Sequence, residues 1–90
     1  MANMGPVKLV LTRAAQRRLG QSSPKMRALV QRLEAIAGQP FAKHPNVERI
    51  KGEPDAFRLR QGNWRAKYRI DRETDEMRVL VLEPRGSGYR

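Results

Sequence analysis

Residues 57–71 read FRLRQGNWRAKYRID. Side chains on a strand alternate between two faces, so this stretch sorts itself. Phe57 and Leu59 point one way, Arg58 and Arg60 the other. Gln61-Gly62-Asn63 has hairpin chemistry, because Gly and Asn tolerate positive φ. After the turn, Trp64, Ala66, Tyr68 and Ile70 share one face, and Arg65, Lys67 and Arg69 share the opposite one. The reading is a hairpin with one apolar and one cationic face. No acid occurs before Asp71, so the five cations form a row of unpaired positive charge.

The flanking sequence supplies what the apolar face needs. Downstream, Arg72–Asp75 is a polar turn. Met77–Leu82 (MRVLVL) is apolar on both faces apart from Arg78, which suits a central strand. Upstream, Val7–Leu11 (VKLVL) is a short branched run and reads as a strand. Thr12 is placed to cap a short helix over Arg13–Leu19, with Gly20 at its C′ position and Gln21-Ser22 in a turn. Ser23-Pro24 has the form of a second helix start, a capping hydroxyl before Pro at the first helical position. From there Met26, Leu29, Val30, Leu33, Ile36 and Ala37 recur at helical spacing and form one apolar stripe. Gly38 and Pro40 stop that helix. Residues 39–55 (QPFAKHPNVERIKGEPD) form a long connection with a short extended piece at Val47–Lys51, tethered by Phe41, Val47 and Ile50. The expectation is an α+β fold of order β-α-α-β-β-β. It has a small, mostly antiparallel sheet with two helices packed on one face.

Size and composition set bounds. Ninety residues, 1–90, make a single domain with a thin core. The net charge is +10, and fourteen of the 19 cations are Arg. Such a chain favours anionic partners, and the planar guanidinium grips phosphate bidentately and stacks on bases. Without cysteine there are no disulfides and no thiolate metal sites. No apolar run approaches the roughly 20 residues that span a bilayer. The first residues lack the pattern of a signal peptide. The expected location is the cytoplasm, with no membrane partner.

An outward sheet face that is merely solvated is polar, but it usually mixes signs, since like charges opposite one another repel. Five cations and no acid over Phe57–Ile70 point instead to an anion-binding face. No other constellation competes. His44 is the sole histidine, so a Ser-His-Asp triad and multi-His metal sites are excluded, and a loop surface role is expected. Asp71, Glu73, Asp75 and Glu76 match no calcium-loop spacing and read as a solvated turn. No metal or other cofactor is expected. Trp64 and Tyr68 lie on the apolar face and read as core. Tyr89 follows a Gly-Ser-Gly segment where nothing local calls for a core residue.

The block RIKGEPDAFRLRQGNWRAKYRID, the apolar strand after it and PRGSGY together resemble the RelE/ParE superfamily of toxins from type II toxin–antitoxin modules. The resemblance runs in order and length over nearly the whole chain, and Ile50–Ile70 is its most specific part. It implies a microbial-RNase-like fold and a cognate acidic antitoxin that wraps the toxin. For the RelE-like branch it implies metal-independent cleavage of mRNA in the ribosomal A site, by attack of a ribose 2′-OH on the adjacent phosphate. For the ParE-like branch it implies inhibition of DNA gyrase without nuclease chemistry. RelE-like site residues map by motif onto Arg58 and Arg60, onto Arg65 just after the hairpin, and onto Arg85 and Tyr89. Lys67 and Arg69 extend the same face toward the substrate phosphates. Two departures stand out. Strand positions often held by Lys are Arg here, and an Arg stays protonated and cannot serve as a base. The sequence also ends at Arg90, where many RelE-like members carry a further helix.

The residues so mapped suffice for a reaction. Attack by a 2′-OH needs that hydroxyl deprotonated, the phosphorane's added charge stabilised and the 5′-oxygen protonated. Arg58, Arg60, Arg65 and Arg85 would stabilise charge. Tyr89 would be the base, since surrounding cations favour its phenolate. Arg85 would assist the leaving oxygen. Substrate-phosphate contacts would fall to Arg58, Arg60, Lys67 and Arg69, and catalysis to Arg65, Arg85 and Tyr89.

Overall fold

The computed structural model of the protein describes residues 5–19 and 24–84. In chain order it contains β1 (Lys8–Leu11), α1 (Arg13–Leu19), α2 (Pro24–Gly38), β2 (Val47–Arg49), β3 (Ala56–Gln61), β4 (Trp64–Asp71) and β5 (Glu76–Pro84). The strands form one sheet of order β1-β5-β4-β3-β2. β2 to β5 make an antiparallel meander, and β1 joins its far edge parallel to β5. The extended piece foreseen near Val47 is therefore a fifth strand, three residues long, that closes the other edge.

Local chemistry explains the helix boundaries. The Thr12 hydroxyl accepts the Ala15 N–H at 3.2 Å, and its carbonyl accepts the Gln16 N–H at 2.8 Å. Those contacts satisfy donors that a helix start leaves orphaned. Arg17 and Arg18 occupy the last turn of α1, the end where the helix dipole favours cations. At the end of α2 the Gln39 N–H bonds the Ile36 carbonyl at 3.0 Å. The Val7 N–H reaches the Ala37 carbonyl at 2.9 Å, so the approach to β1 caps α2. Pro40 has no N–H with which to extend the ladder. Gly20, Gln21, Ser22 and Ser23, read as the C′ residue, turn and N-cap, lie outside the described residues.

The core is the apolar stripe of α2 pressed on the inward sheet face. Met26, Leu29, Leu33, Ile36 and Ala37 from the helix meet Phe57, Leu59, Ala66, Tyr68, Ile70, Met77, Val79 and Leu82 from the strands. Ala15 adds the contact from α1. Phe41, Val47 and Trp64 pack on its rim. Phe57 stacks on Tyr68 with ring centroids 5.3 Å apart, and Phe41 meets Phe57 edge-on at 6.1 Å. The connection 39–55 is thus bound down through Phe41 and Val47, with Ile50 half-buried.

The hairpin between β3 and β4 closes at Gln61–Trp64 around Gly62-Asn63. Only Gly62 uses the left-handed backbone, with φ 59°, which suits a turn whose first central residue alone needs it. Further along, Lys67 pairs with Val81 and Tyr68 with Val79, so Leu80 has no opposite number on β4. This bulge shifts the alternation of β5: Met77 and Val79 face the core, and so does Leu82. The Thr12 hydroxyl donates to the Leu80 carbonyl at 3.1 Å and holds the irregular turn of the strand. The bulge also gives the apolar character of both faces of Met77–Leu82 a structural cause.

Candidate functional site

Register fixes the composition of the outward face. Arg58 lies directly opposite Lys67, Arg60 opposite Arg65 and Arg69 opposite Arg78. These are three like-charge pairs, each of which works against the sheet by roughly 0.2–1 kcal/mol. Val81 and Glu83, turned outward by the bulge, complete the face opposite Lys67 and Arg65. The structure therefore brings together Arg58, Arg60, Arg65, Lys67 and Arg69 as the alternation required. It adds Arg78, which the sequence reading had noted only as an exception on its strand.

The expected row of unpaired charge needs correction. Glu48 of β2 meets Arg60 at 3.5 Å. Glu53, in the turn before β3, meets Lys67 at 3.1 Å and Arg69 at 3.8 Å. Asp71 and Glu76 take Arg78 at 3.3 and 3.0 Å. The acids come from outside the window 57–70, brought in by strand pairing and by a tight turn, so counting charge along one stretch could not reveal them. A local signal existed: Glu53 stands between Gly52 and Pro54, a turn signature just ahead of a strand. Each like-charge pair thus contains at least one member with a carboxylate. Among the described residues, Arg58 and Arg65 form no ion pair. They are diagonal neighbours across β3 and β4, about 7–8 Å apart at Cβ, a span that two guanidinium forks can close on one phosphate.

Arg65 has the most constrained position of the five. It is the second residue of β4, immediately after the hairpin, on a strand paired on both sides. It is half-buried, and its Nε is enclosed without a hydrogen-bond partner. An enclosed, unpartnered N–H on a cation is an anion-seeking group. On the other side of the same strand, Tyr68 is fully buried with its hydroxyl also unpartnered. Burial pushes that phenol far above its ordinary value, and nearby Arg32 offsets this only in part. Tyr68 therefore stays protonated and is a core residue, as expected. Trp64 is half-buried on the core rim. His44 is half-buried, its Nε2 2.8 Å from the Gln39 carbonyl. Arg85 and Tyr89, read as catalytic, lie outside the described residues.

One further ion pair and a hydrogen-bonded turn brace the end of the face. Arg72 grips Asp55 bidentately at 2.9 and 3.2 Å and lies over the Phe41 ring, 4.3 Å from its centre. The hydrogen bond from Arg72 holds the Asp55 carboxyl below its usual range. In the β4–β5 turn, Asp71 accepts the Thr74 and Glu73 N–H groups, which lower its own value. The acidic turn is thus spent on its own backbone and on Arg78. Among the described residues no group of acids and histidines is arranged to hold a metal ion. No helix among them is long and apolar enough to cross a membrane.

No family model and no curated protein matches the sequence. Solved structures do match. The archaeal RelE of the RelE–RelB complex from Pyrococcus horikoshii OT3 overlays with a TM-score of 0.75 at 19% identity, covering 91% of this chain and 98% of that one. A chain of the RelBE2 toxin–antitoxin complex from Mycobacterium tuberculosis gives 0.69 at 25% identity, covering 93% and 97%. The isolated E. coli RelE toxin gives 0.75 at 19% identity, covering 92% and 88%. Strand order, helix placement and these overlays agree: the chain has the fold of the RelE toxins, and over nearly its whole length it resembles the toxins of type II toxin–antitoxin modules.

Proposed function

We propose that this chain is the toxin of a type II toxin–antitoxin module and that its outward sheet face holds the backbone of mRNA for cleavage. The observation that carries the reading is the assembly of six cations on one sheet face, with three like-charge pairs directly opposed and, among the described residues, no ion pair at Arg58 or Arg65, although Glu48 and Glu83 stand opposite them in register. A polyanionic substrate converts the mutual repulsion of those cations into binding.

In the proposed reaction a ribose 2′-OH attacks the adjacent phosphate. The 2′-proton passes to a base, the P–O5′ bond breaks and the 5′-oxygen takes a proton. Arg65, with Arg58 and Arg60 beside it, stabilises the charge that builds on the phosphorane, the largest contribution in reactions of this type. Those guanidiniums do the work that a metal ion does elsewhere, so the route requires none. Tyr89 is the proposed base and Arg85 the group beside the leaving oxygen. A ribosome-bound mRNA is the proposed substrate and an acidic antitoxin the proposed partner; the structural relatives include RelE–RelB and RelBE toxin–antitoxin complexes, which supports a partner of that kind.

The test is Tyr89→Phe, which keeps the ring and removes the hydroxyl. Cellular mRNA 5′ ends are mapped after induction, and plasmid supercoiling is measured in parallel. New 5′ ends in the unaltered protein, reduced by about 10²–10⁴-fold in the variant, support the nuclease. Relaxed plasmid, unchanged mRNA ends and full toxicity in Tyr89→Phe would overturn it in favour of gyrase inhibition.

A further inference from the structure

Glu53 is the acid most directly engaged with the face. Its backbone is pinned on both sides: its N–H bonds the Ile50 carbonyl at 3.2 Å and its carbonyl accepts the Ala56 N–H at 3.3 Å. Gly52, with φ 84°, makes the turn that precedes it, and Pro54 restricts the backbone of Glu53 itself, the residue before it. From this fixed base one carboxylate reaches two cations, Lys67 at 3.1 Å and Arg69 at 3.8 Å. The side chains are 37%, 35% and 49% exposed, so water screens these pairs and they add at most about 1 kcal/mol to stability. Their effect on binding is different. They withdraw Lys67 and Arg69, two of the face's four expected phosphate contacts, and Glu48 withdraws a third at Arg60. Among the described residues, the two cations of the hairpin left without an ion pair are Arg58 and Arg65, with Glu48 and Glu83 opposite them in register but making none.

We propose that Glu53 is a specificity-determining residue of the basic face: it occupies Lys67 and Arg69, so that a polyanion can use them only by displacing a tethered carboxylate. A free row of five cations would bind any nucleic acid through its phosphates, with no choice among them. With Glu53 in place, strong binding requires a substrate held in position by further contacts. A loose oligonucleotide engages Arg58 and Arg65 alone. The inference rests on the anion-binding reading of this face. Its occupant is single-stranded RNA, and the pinned backbone keeps the carboxylate within reach whether or not RNA is bound.

The experiment titrates a fluorescent single-stranded oligoribonucleotide of mixed sequence with the full chain, its Glu53→Gln, Glu53→Asp and Glu48→Gln variants, and Arg65→Ala. Dissociation constants are measured between about 50 and 200 mM salt, where each phosphate contact on a single strand contributes a slope of about 0.7. Two released cations should steepen the slope for Glu53→Gln by about 1.4. Its advantage over the unaltered chain should therefore shrink about sevenfold across that roughly fourfold rise in salt. Glu48→Gln frees one cation and should steepen the slope by about 0.7. Glu53→Asp retains the charge and should stay close to the unaltered chain. Thermal melting of the Glu53 and Glu48 variants should stay within a few degrees. If Arg65→Ala weakens binding while Glu53→Gln leaves both affinity and slope unchanged, the role assigned to Glu53 is wrong. If Glu53→Gln raises affinity equally at all salt concentrations, or only lowers the melting temperature, it is likewise wrong. If Arg65→Ala changes nothing, the anion-binding face itself fails, and that outcome is distinct from the other two.

Discussion

Replacing Arg65 by methionine should raise stability and remove activity in the same variant. Arg65 stands directly opposite Arg60 on one side and Glu83 on the other, so losing its charge relieves a repulsion and forfeits an attraction, each roughly 0.2–1 kcal/mol. Its Nε is enclosed and unpartnered, and such an atom costs about 1–3 kcal/mol where water is fully excluded. The residue is only half-buried, so water at the fork reduces that amount. Methionine keeps a flexible unbranched stem and its packing. The two charge effects largely cancel, so the net gain comes from the enclosed Nε and is about 1 kcal/mol at most, which in a domain of this size raises the melting temperature by about 4–8 °C. Loss of a positioned donor to the phosphorane should lower cleavage by about 10²–10³-fold. Thermal unfolding by circular dichroism reads the first quantity, and growth after induction with mRNA end mapping reads the second. A variant that melts several degrees lower would show that Arg65 is a structural strut. A variant that melts higher and remains fully toxic would place the site elsewhere.

Two other perturbations test the frame around the face. Asp55 has a positive φ of 57°, which Asn tolerates, so Asp55→Asn removes charge without straining the backbone. The Asp55 carboxyl is held below its unfolded value by Arg72, so its stabilisation is complete above about pH 4 and fades as pH falls through the folded value. The variant should lose about 0.5–1 kcal/mol at neutral pH and show a shallower acid-unfolding profile below about pH 4, measured by urea titration at several pH values. Thr12→Ala deletes both the cap of α1 and the hydrogen bond to Leu80, and should cost about 1–2 kcal/mol. Amide exchange should quicken at Ala15 and around Leu80 together, whereas a loss confined to α1 would mean that the bulge holds without the hydroxyl.

Much of this architecture is local information. The period-two alternation of 57–71, the Gly62 turn, the helix start at Pro24 and the Gly38-Pro40 stop each act over a few residues. Strands and helices therefore appear where those patterns place them. What the pattern could not carry was long-range. That β1 lies parallel beside β5 depends on where two helices return the chain. That Lys67 and Arg69 have a carboxylate depends on a turn folded back across their strand. The bulge at Leu80 left a trace, the apolar run on both faces of β5, but two registers fit such a run equally well until β4 and Thr12 choose between them. The site was legible in its cations, whose outward placement follows from alternation, and illegible in its acids, which arrive by tertiary contact.

The bulge at Leu80 makes β5 sensitive to parity. Ahead of it Met77 and Val79 mark the inward phase, and after it Leu82 does. Delete Leu80, and the strand alternates regularly: Val79 and Leu82 stay inward, Val81 and Glu83 stay outward. Draw Leu80 into the ladder opposite Lys67 instead, and every later residue changes side: Leu82 turns to water, while Val81 and the carboxylate of Glu83 turn to the core. A single residue can therefore be lost at this point without disturbing the face, whereas closing the bulge with every residue retained inverts the end of the strand. The orientation of Glu83 against Arg65, at the entrance to the cationic face, depends on the extra residue staying unpaired.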